Sequence, residues 1–338
     1  MVVKKQKVKF EVYKAVDSDN TPINLVDLIE KINSLKNDQK EVKQYGVGTR
    51  IDKFEYLTLD DETIAKFRDL KLAYFHMTKM RDDGLATTKE EIDELKNLDL
   101  DADEYVAEDI NCIFDTKNCL LFIQRNFHSL SVTGVNYYLV KMHKKIALKI
   151  EKTDDKNTYE PLDLIFKPVP DKDVLKGIVE SDNYRRIELS FANASLETFK
   201  GQGLLNKCLG NLGDIFDSLG GVNMGLTITA GNAKNPSLNK KNLRKLAGDI
   251  ENNKTLFSSA VFSGKKGTMP VEKYDLINGK LCVTHKFSSV KKNSKKRIHL
   301  DPRSVRDVMQ KIYLKGDKED KDIKLKTPLL EVALKNLE

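Results

Sequence analysis

Tryptophan is absent from the sequence, and proline is scarce, with 8 in 338 residues. No run approaches the roughly 18 apolar residues that would span a bilayer. The start, Met1-Val-Val-Lys-Lys-Gln-Lys7, carries charge with no apolar core behind it, unlike a secretory signal. Four cysteines, Cys112, Cys119, Cys208 and Cys282, are spread along the chain without a Cys-x-x-Cys pair. That spacing excludes a small disulfide framework and fits reduced, buried thiols in a cytoplasmic protein. These absences rule out membrane-spanning, collagenous and disulfide-stapled classes.

Linear motifs for chemistry are also missing. There is no Gly-x-x-x-x-Gly-Lys-Ser/Thr loop, and Gly201-Gln-Gly203 stops short of Gly-x-Gly-x-x-Gly. Nucleotide hydrolysis and dinucleotide binding therefore lose their usual phosphate cradle. The five histidines, His76, His128, His143, His285 and His299, are scattered, with no His-Glu-x-x-His and no Cys/His pair at zinc spacing. His76 and His285 fall in strand patterns and read as half-buried rings. Asp60-Asp61-Glu62 and triplets such as Glu41-Val-Lys43 read as surface carboxylates, since no convergent set accompanies them. The expectation is no catalytic residue, no bound metal and no cofactor.

What the chain does have is charge, unevenly placed. Its net charge is +7. From Lys234 to Lys326 there are 24 Lys and Arg against 10 Asp and Glu. From Lys286 to Arg306 eight basic residues face one acid, Asp301. From Asp82 to Asp109 twelve acids face two lysines, Lys89 and Lys96. A basic stretch concentrates polyanions, because each phosphate neutralised releases a condensed counterion. Nucleic acid is the commonest large polyanion in a cytoplasm. A solvated face is the plainer reading of the same lysines.

Periodicity supplies the elements. Residues 7–16 alternate as a strand, with Val8, Phe10 and Val12 on one face. Asn24 caps a helix carrying Leu25, Leu28, Ile29, Ile32 and Leu35 at helical spacing. Thr88-Lys-Glu-Glu91 has the form of a capping box before a short acidic helix. Residues 104–125 read as two strands around the turn Asp115-Thr-Lys-Asn118, and 129–145 as a helix. Further on, strands alternate irregularly with helices, including an amphipathic stretch at 204–219. Asp301-Pro302 opens a last long helix. The polar stretch 151–158 reads as a linker. The expected class is α+β, with two domains, each a mixed or antiparallel sheet with packed helices. The expected boundaries are an N-terminal domain at 1–150, a C-terminal basic domain at 159–314 and a charged tail at 315–338.

Candidate phosphate contacts follow from charge. Gly264-Lys-Lys-Gly267 lies between strand patterns, so it reads as a hairpin tip presenting Lys265 and Lys266 rather than a loop between helices. Lys286 lies on the next strand. Lys291, Lys292, Lys295, Lys296 and Arg297 form the basic loop after it. Arg303 and Arg306 begin the following helix, whose backbone N–H groups also suit an anion. Aromatics are sparse in this region, so backbone binding to a duplex fits better than base stacking.

The order of segments also resembles a known family. Phe10-Glu-Val-Tyr13, Ile23-Asn-Leu25, Ile51-Asp-Lys-Phe54, Leu121-Phe-Ile123, Glu160-Pro-Leu162, Leu209-Gly210 and Asp214-Ile-Phe-Asp-Ser-Leu219 occur in sequence. Together, from about Val8 to Asp249, they resemble the RexA-like phage exclusion proteins of abortive infection. The resemblance implies a two-domain DNA-binding protein that forms a homodimer and signals to a membrane protein encoded nearby. It carries over no catalytic or binding residue. The expected function is thus sequence-tolerant binding of double-stranded DNA in phage–host conflict. A metal-dependent nuclease effector, or a phage-encoded inhibitor of a host complex, stand as alternatives.

Overall fold

The computed structural model describes residues 2–44, 47–81, 86–89, 92–98, 100–101, 104–151, 160–192, 223–231, 236–253, 257–265, 271–291, 299–316 and 327–337. In chain order the first elements are β1 (Val2–Val16), α1 (Val26–Asn33), α2 (Asn37–Lys40), β2 (Val42–Gln44), β3 (Val47–Tyr56), α3 (Asp61–Lys66) and β4 (Leu72–Arg81). Next come β5 (Ala86–Lys89), β6 (Ile92–Asn97), β7 (Val106–Asp115), β8 (Leu120–Arg125), α4 (Val132–Glu151) and β9 (Ile165–Pro168). They are followed by α5 (Val174–Glu180), β10 (Asn183–Ala192), β11 (Asn223–Thr229), α6 (Lys240–Glu251), β12 (Ser259–Lys265) and β13 (Glu272–Asp275). The last are β14 (Cys282–Lys291), α7 (Pro302–Lys315) and α8 (Leu329–Leu337). Every sheet is antiparallel and the class is α+β. No helix among the described residues is long and apolar enough to cross a membrane.

The chain divides into two units: Met1–Val169 with Leu281–Glu338, and Pro170–Lys280. This departs from the expected split at 151–158, of which only Glu151 is described, as the end of α4. The cause lies in β1. Its residues 2–11 pair with β14, and residues 13–16 pair with β9 along the same edge. Val12 sits at the seam: its N–H donates to Leu281 O, and its carbonyl accepts from Val169 N. Leu281 N in turn donates to Val169 O at 2.8 Å. The chain therefore leaves the sheet at Val169 and rejoins it next door at Leu281. Residues 281–314, expected in a C-terminal domain, belong to the first unit, because β14 completes its sheet.

The first unit is built on that sheet, ordered β14-β1-β8-β7-β4-β3-β2 with β9 beside β1. Both its faces are covered. On one side Phe10, Tyr74, Ile113 and Phe122 pack against Val305, Met309, Ile312 and Tyr313 of α7 and Leu329, Leu330 and Ala333 of α8. On the other, Phe75, Phe114, Leu121 and Ile123 pack against Ile29 and Ile32 of α1 and Val135, Tyr138, Leu139 and Met142 of α4. Double burial explains the continuous apolar runs Cys112-Ile-Phe114 in β7 and Leu120-Leu-Phe-Ile123 in β8. The turn between them forms as its residue types dictate. Asp115 accepts from the backbone of Lys117 (3.0 Å) and Asn118 (2.9 Å), and Cys119 adopts φ 53°. Asp115 is fully buried, and its other oxygen accepts from Tyr313 of α7 at 2.9 Å. Burial, and then the nearby Asp115, pushes the Tyr313 hydroxyl well up, so it stays a donor. The end of the expected charged tail is thus a docked helix, α8.

The second unit is a four-stranded sheet, β11-β10-β12-β13, with α5 and α6 against Ile187, Leu189, Ala260 and Phe262. Gly177 of α5 is required by packing, because a Cβ there would lie 2.5 Å from the Tyr274 ring. The expected cap Asn24 stands one residue before the N-cap of α1, Leu25, which makes no side-chain cap bond; Asn24 Oδ1 accepts from Val26 N at 3.0 Å. Asn239 accepts from Asn242 N, and Asp301 accepts from the backbone of Arg303 and Ser304. One local expectation is overturned. The stretch around Thr88 is not a helix but a hairpin of β5 and β6, with Lys89 paired to Ile92. A capping box satisfies orphan donors only, and a helix this short is marginal unless tertiary packing supports it, so the capping pattern does not fix the element. Cys112 and Cys119 are buried free thiols and Cys282 is a partly buried one; the expectation for Cys208 lies outside the described residues, as does that of a helix at 204–219.

Because Val169 and Leu281 are bonded neighbours, the second unit is an insertion into a finished sheet. Replacing residues 170–280 by a short Gly-rich turn is expected to leave the first unit with a single cooperative melt. Circular dichroism during thermal unfolding checks this, and loss of the cooperative transition would contradict it.

Candidate nucleic-acid interface

The alternation that buries Val8, Phe10 and Val12 turns Lys7 and Lys9 to the opposite face of β1. In the ladder with β14, Lys7 lies directly opposite Lys286. In the ladder with β8, Lys9 lies directly opposite Arg125. Four cations therefore share one corner of one sheet face. The pairing with β8 stops at Lys9, so residues 2–8 have β14 as their only described strand neighbour. That part is a two-stranded ribbon. Lys4 and Lys5 occupy positions on one strand, and Lys291 ends the other, opposite Val2. Like charges directly opposite one another destabilise a strand pair.

Arg125 is held in place from beneath. Its guanidinium donates to Glu11 Oε1 at 3.0 Å, and Glu11 is 5% exposed. The same oxygen lies 3.9 Å from Lys9 Nζ. Glu11 also accepts from the Tyr13 hydroxyl at 2.7 Å. Burial first, and the bond to Glu11 second, push that hydroxyl well above its ordinary value. Glu11 thus stays an acceptor for Arg125, and the guanidinium is fixed at the rim. It also stands 4.5 Å over the ring of Phe127, which is 82% exposed.

The opposite face at the same end of the sheet carries a second polar group. Asp109 accepts from His76 Nε2 at 2.9 Å and from His299 Nε2 at 2.8 Å. The His76 and Asp109 side chains are 14% and 13% exposed. Burial works to raise the Asp109 carboxyl, but the hydrogen bonds from His76 and His299, and their charge, outweigh it and hold it below the usual carboxylate range. Below this lies a satisfied buried chain: Tyr74 donates to Asn111 at 2.6 Å, and Asn111 donates to Gln124 at 2.7 Å. The structural consequence is an anchor. His299 is the first described residue after segment 292–298, and Lys291 is the last before it. Both described flanks of the basic segment are therefore tied to the sheet, one by the β1 ladder and one by Asp109. Among the described residues no group of three or more His, Cys, Asp or Glu is placed to hold a metal ion.

The residues expected from charge are distributed as follows. Lys286 belongs to the cationic corner, and Lys291 ends the same strand. Lys265 ends β12 in the other unit, opposite Asn183. Arg303 is exposed in the first turn of α7. Arg306 is not offered outward. It bonds Glu55 and Asp307, the latter at 2.7 Å, and lies 5.9 Å over the Tyr74 ring. Desolvation lowers its pKa, but the bonds to Asp307 and Glu55 outweigh that and raise it. It docks α7 onto β3. Lys266, Lys292, Lys295, Lys296 and Arg297 lie outside the described residues. The corner also contains three cations that reasoning on charge density passed over: Lys7, Lys9 and Arg125. A signal for two of them was present in Lys5-x-Lys7-x-Lys9, interleaved with Val8 and Phe10 at strand period.

The chain belongs to a family of unknown function (DUF6731), whose model matches residues 3–322. No curated protein matches it.

Asp109→Asn is expected to cost about 1–3 kcal/mol of stability at neutral pH, since it weakens two charge-assisted bonds. A carboxyl lowered by folding means the unfolded chain binds more protons. Its stabilisation is complete above the unfolded value near about 4 and is lost as pH falls through the folded one. Denaturant melts should show the gap between variant and native protein narrowing only on that acid side.

Proposed function

We propose that this member of the family binds double-stranded DNA along its phosphate backbone, without reading sequence and without catalysis. The observation that carries the reading is the cross-strand pair Lys7–Lys286 beside the pair Lys9–Arg125. Two residues apart on a strand, Lys7 and Lys9 are about 6.8 Å apart. Phosphates on one DNA strand advance about 3.4 Å along the axis but follow a longer helical path, so the two lysines suit neighbouring phosphates of one strand. A two-stranded ribbon is also of a size the major groove admits. The described flanks of the basic segment 292–298, Lys291 and His299, both belong to this same sheet unit. The resemblance to RexA-like exclusion proteins supplies the setting we infer, phage–host conflict with DNA engagement as the trigger. It also implies a homodimer and a membrane partner, neither of which the cationic corner requires.

Fluorescence anisotropy with a mixed-sequence duplex, over a salt series and without divalent metal, tests this. Native protein should bind with a steep salt slope, equally on duplexes of unrelated sequence. The double variant Lys7→Ala/Lys286→Ala should lower the slope by about 0.9 for each phosphate it no longer neutralises. Its melting temperature should hold or rise slightly, because the substitutions remove a like-charged cross-strand pair. An unchanged slope would refute the assignment.

A further inference from the structure

The most exposed large apolar side chain described is Phe127. Its exposure is not that of a loose loop. Asn126 Nδ2 donates to Asp109 O at 3.1 Å and lies 3.3 Å from Glu108 Oε2, while Asn126 Oδ1 accepts from His128 N at 3.1 Å. Ser129 donates from its hydroxyl to Glu108 O at 2.9 Å and from its backbone to Asn126 O at 3.2 Å. Arg81 donates to His128 O at 3.1 Å. The residues on both sides of Phe127 are thus pinned to β4 and β7, and the ring projects from a fixed turn. Arg125 stands over it, itself fixed by Glu11. Directly opposite Arg125 is Lys9, and two residues further along is Lys7.

We propose that Phe127 is a stacking platform for an unpaired nucleobase, so that the preferred ligand is a duplex that ends in, or opens into, a single-stranded stretch. The inference rests on the backbone reading above and adds to it a ligand class. Phosphates of the paired region follow Lys7, Lys9, Arg125 and Lys286. The first unpaired base leaves the stack and lies on the Phe127 ring. Bases inside a duplex cannot reach the ring, because both their faces are already stacked. Every base has a π face, so the platform discriminates paired from unpaired and not one sequence from another. A planar cation beside the aromatic ring suits the same ligand, since a guanidinium both stacks on a base and pairs with its phosphate.

The experiment compares a blunt duplex with the same duplex carrying a short overhang, with 2-aminopurine at the first unpaired position. Anisotropy gives affinity, and 2-aminopurine fluorescence reports stacking. Native protein should bind the overhang about tenfold more tightly, within the range of one stacked base, and should quench the probe. Phe127→Ala should lose the preference and the quench while keeping blunt-duplex affinity and salt slope; Phe127→Tyr should keep all four. Equal binding of blunt and overhang DNA by native protein, or a preference that survives Phe127→Ala, overturns this inference and leaves backbone binding standing. Absence of salt-dependent binding to either duplex overturns the backbone reading and this one with it.

Discussion

The pairing of β1 with β14, residues 2–11 against 282–291, is the contact on which the rest of this architecture depends. It joins strands separated by most of the sequence, so its loop-closure entropy must be offset by what it buries. The offset comes from Phe10 and Val283, which enter one core with Val8 and Phe287. Once that ladder forms, three things follow. The second unit becomes an insertion, because the chain leaves beside β14 at β9. Helix α7 follows β14 directly and covers the apolar face that β1, β8, β7 and β4 present. And lysines far apart in sequence become cross-strand neighbours.

The same sheet separates its functions along its length. Near the β7–β8 turn its face is apolar and sealed by α7 and α8, with Asp115 fully bonded inside. Towards the other end, polar side chains replace the apolar ones at alternate positions: Tyr74 gives way to His76 and Thr78, and Ile113 to Asn111 and Asp109. His76 bonds Asp109, Asn111 bonds Tyr74 and Gln124, and Thr78 bonds Asp52, a set of side-chain contacts that stiffens this end. A rim that must hold cations against each other needs such a base. Glu11, fixed by Tyr13, performs that role on the opposite face by tethering Arg125.

What could be read from the sequence was local. The cap at Asp301, the Asp115–Asn118 turn and the alternation of β1 all rest on neighbours a few residues apart, and the structure contains them. The domain boundary was not legible. A polar stretch such as 151–158 looks like a linker, whereas the actual crossings, Val169 and Leu281, are buried apolar residues inside a ladder. The expected role of Arg306 rested on charge, and charge says nothing about Glu55, 251 positions away by sequence. The site was legible in part. Charge density pointed to Lys286 and Lys291, but counting charges along the chain cannot register that β1 lies beside them.

The acidic residues of the large sheet belong in the same account. Those of β7 are engaged within the unit: Asp109 by two histidines, and Glu108 by the turn that carries Phe127. The acid that reaches the cationic corner, Glu11, is buried and orients Arg125 beside Lys9. The Lys7–Lys286 pairing is set by the sheet register. On the proposed reading a polyanion lies along that corner, and a register enforced by a hydrophobic core is what forms the corner in its absence.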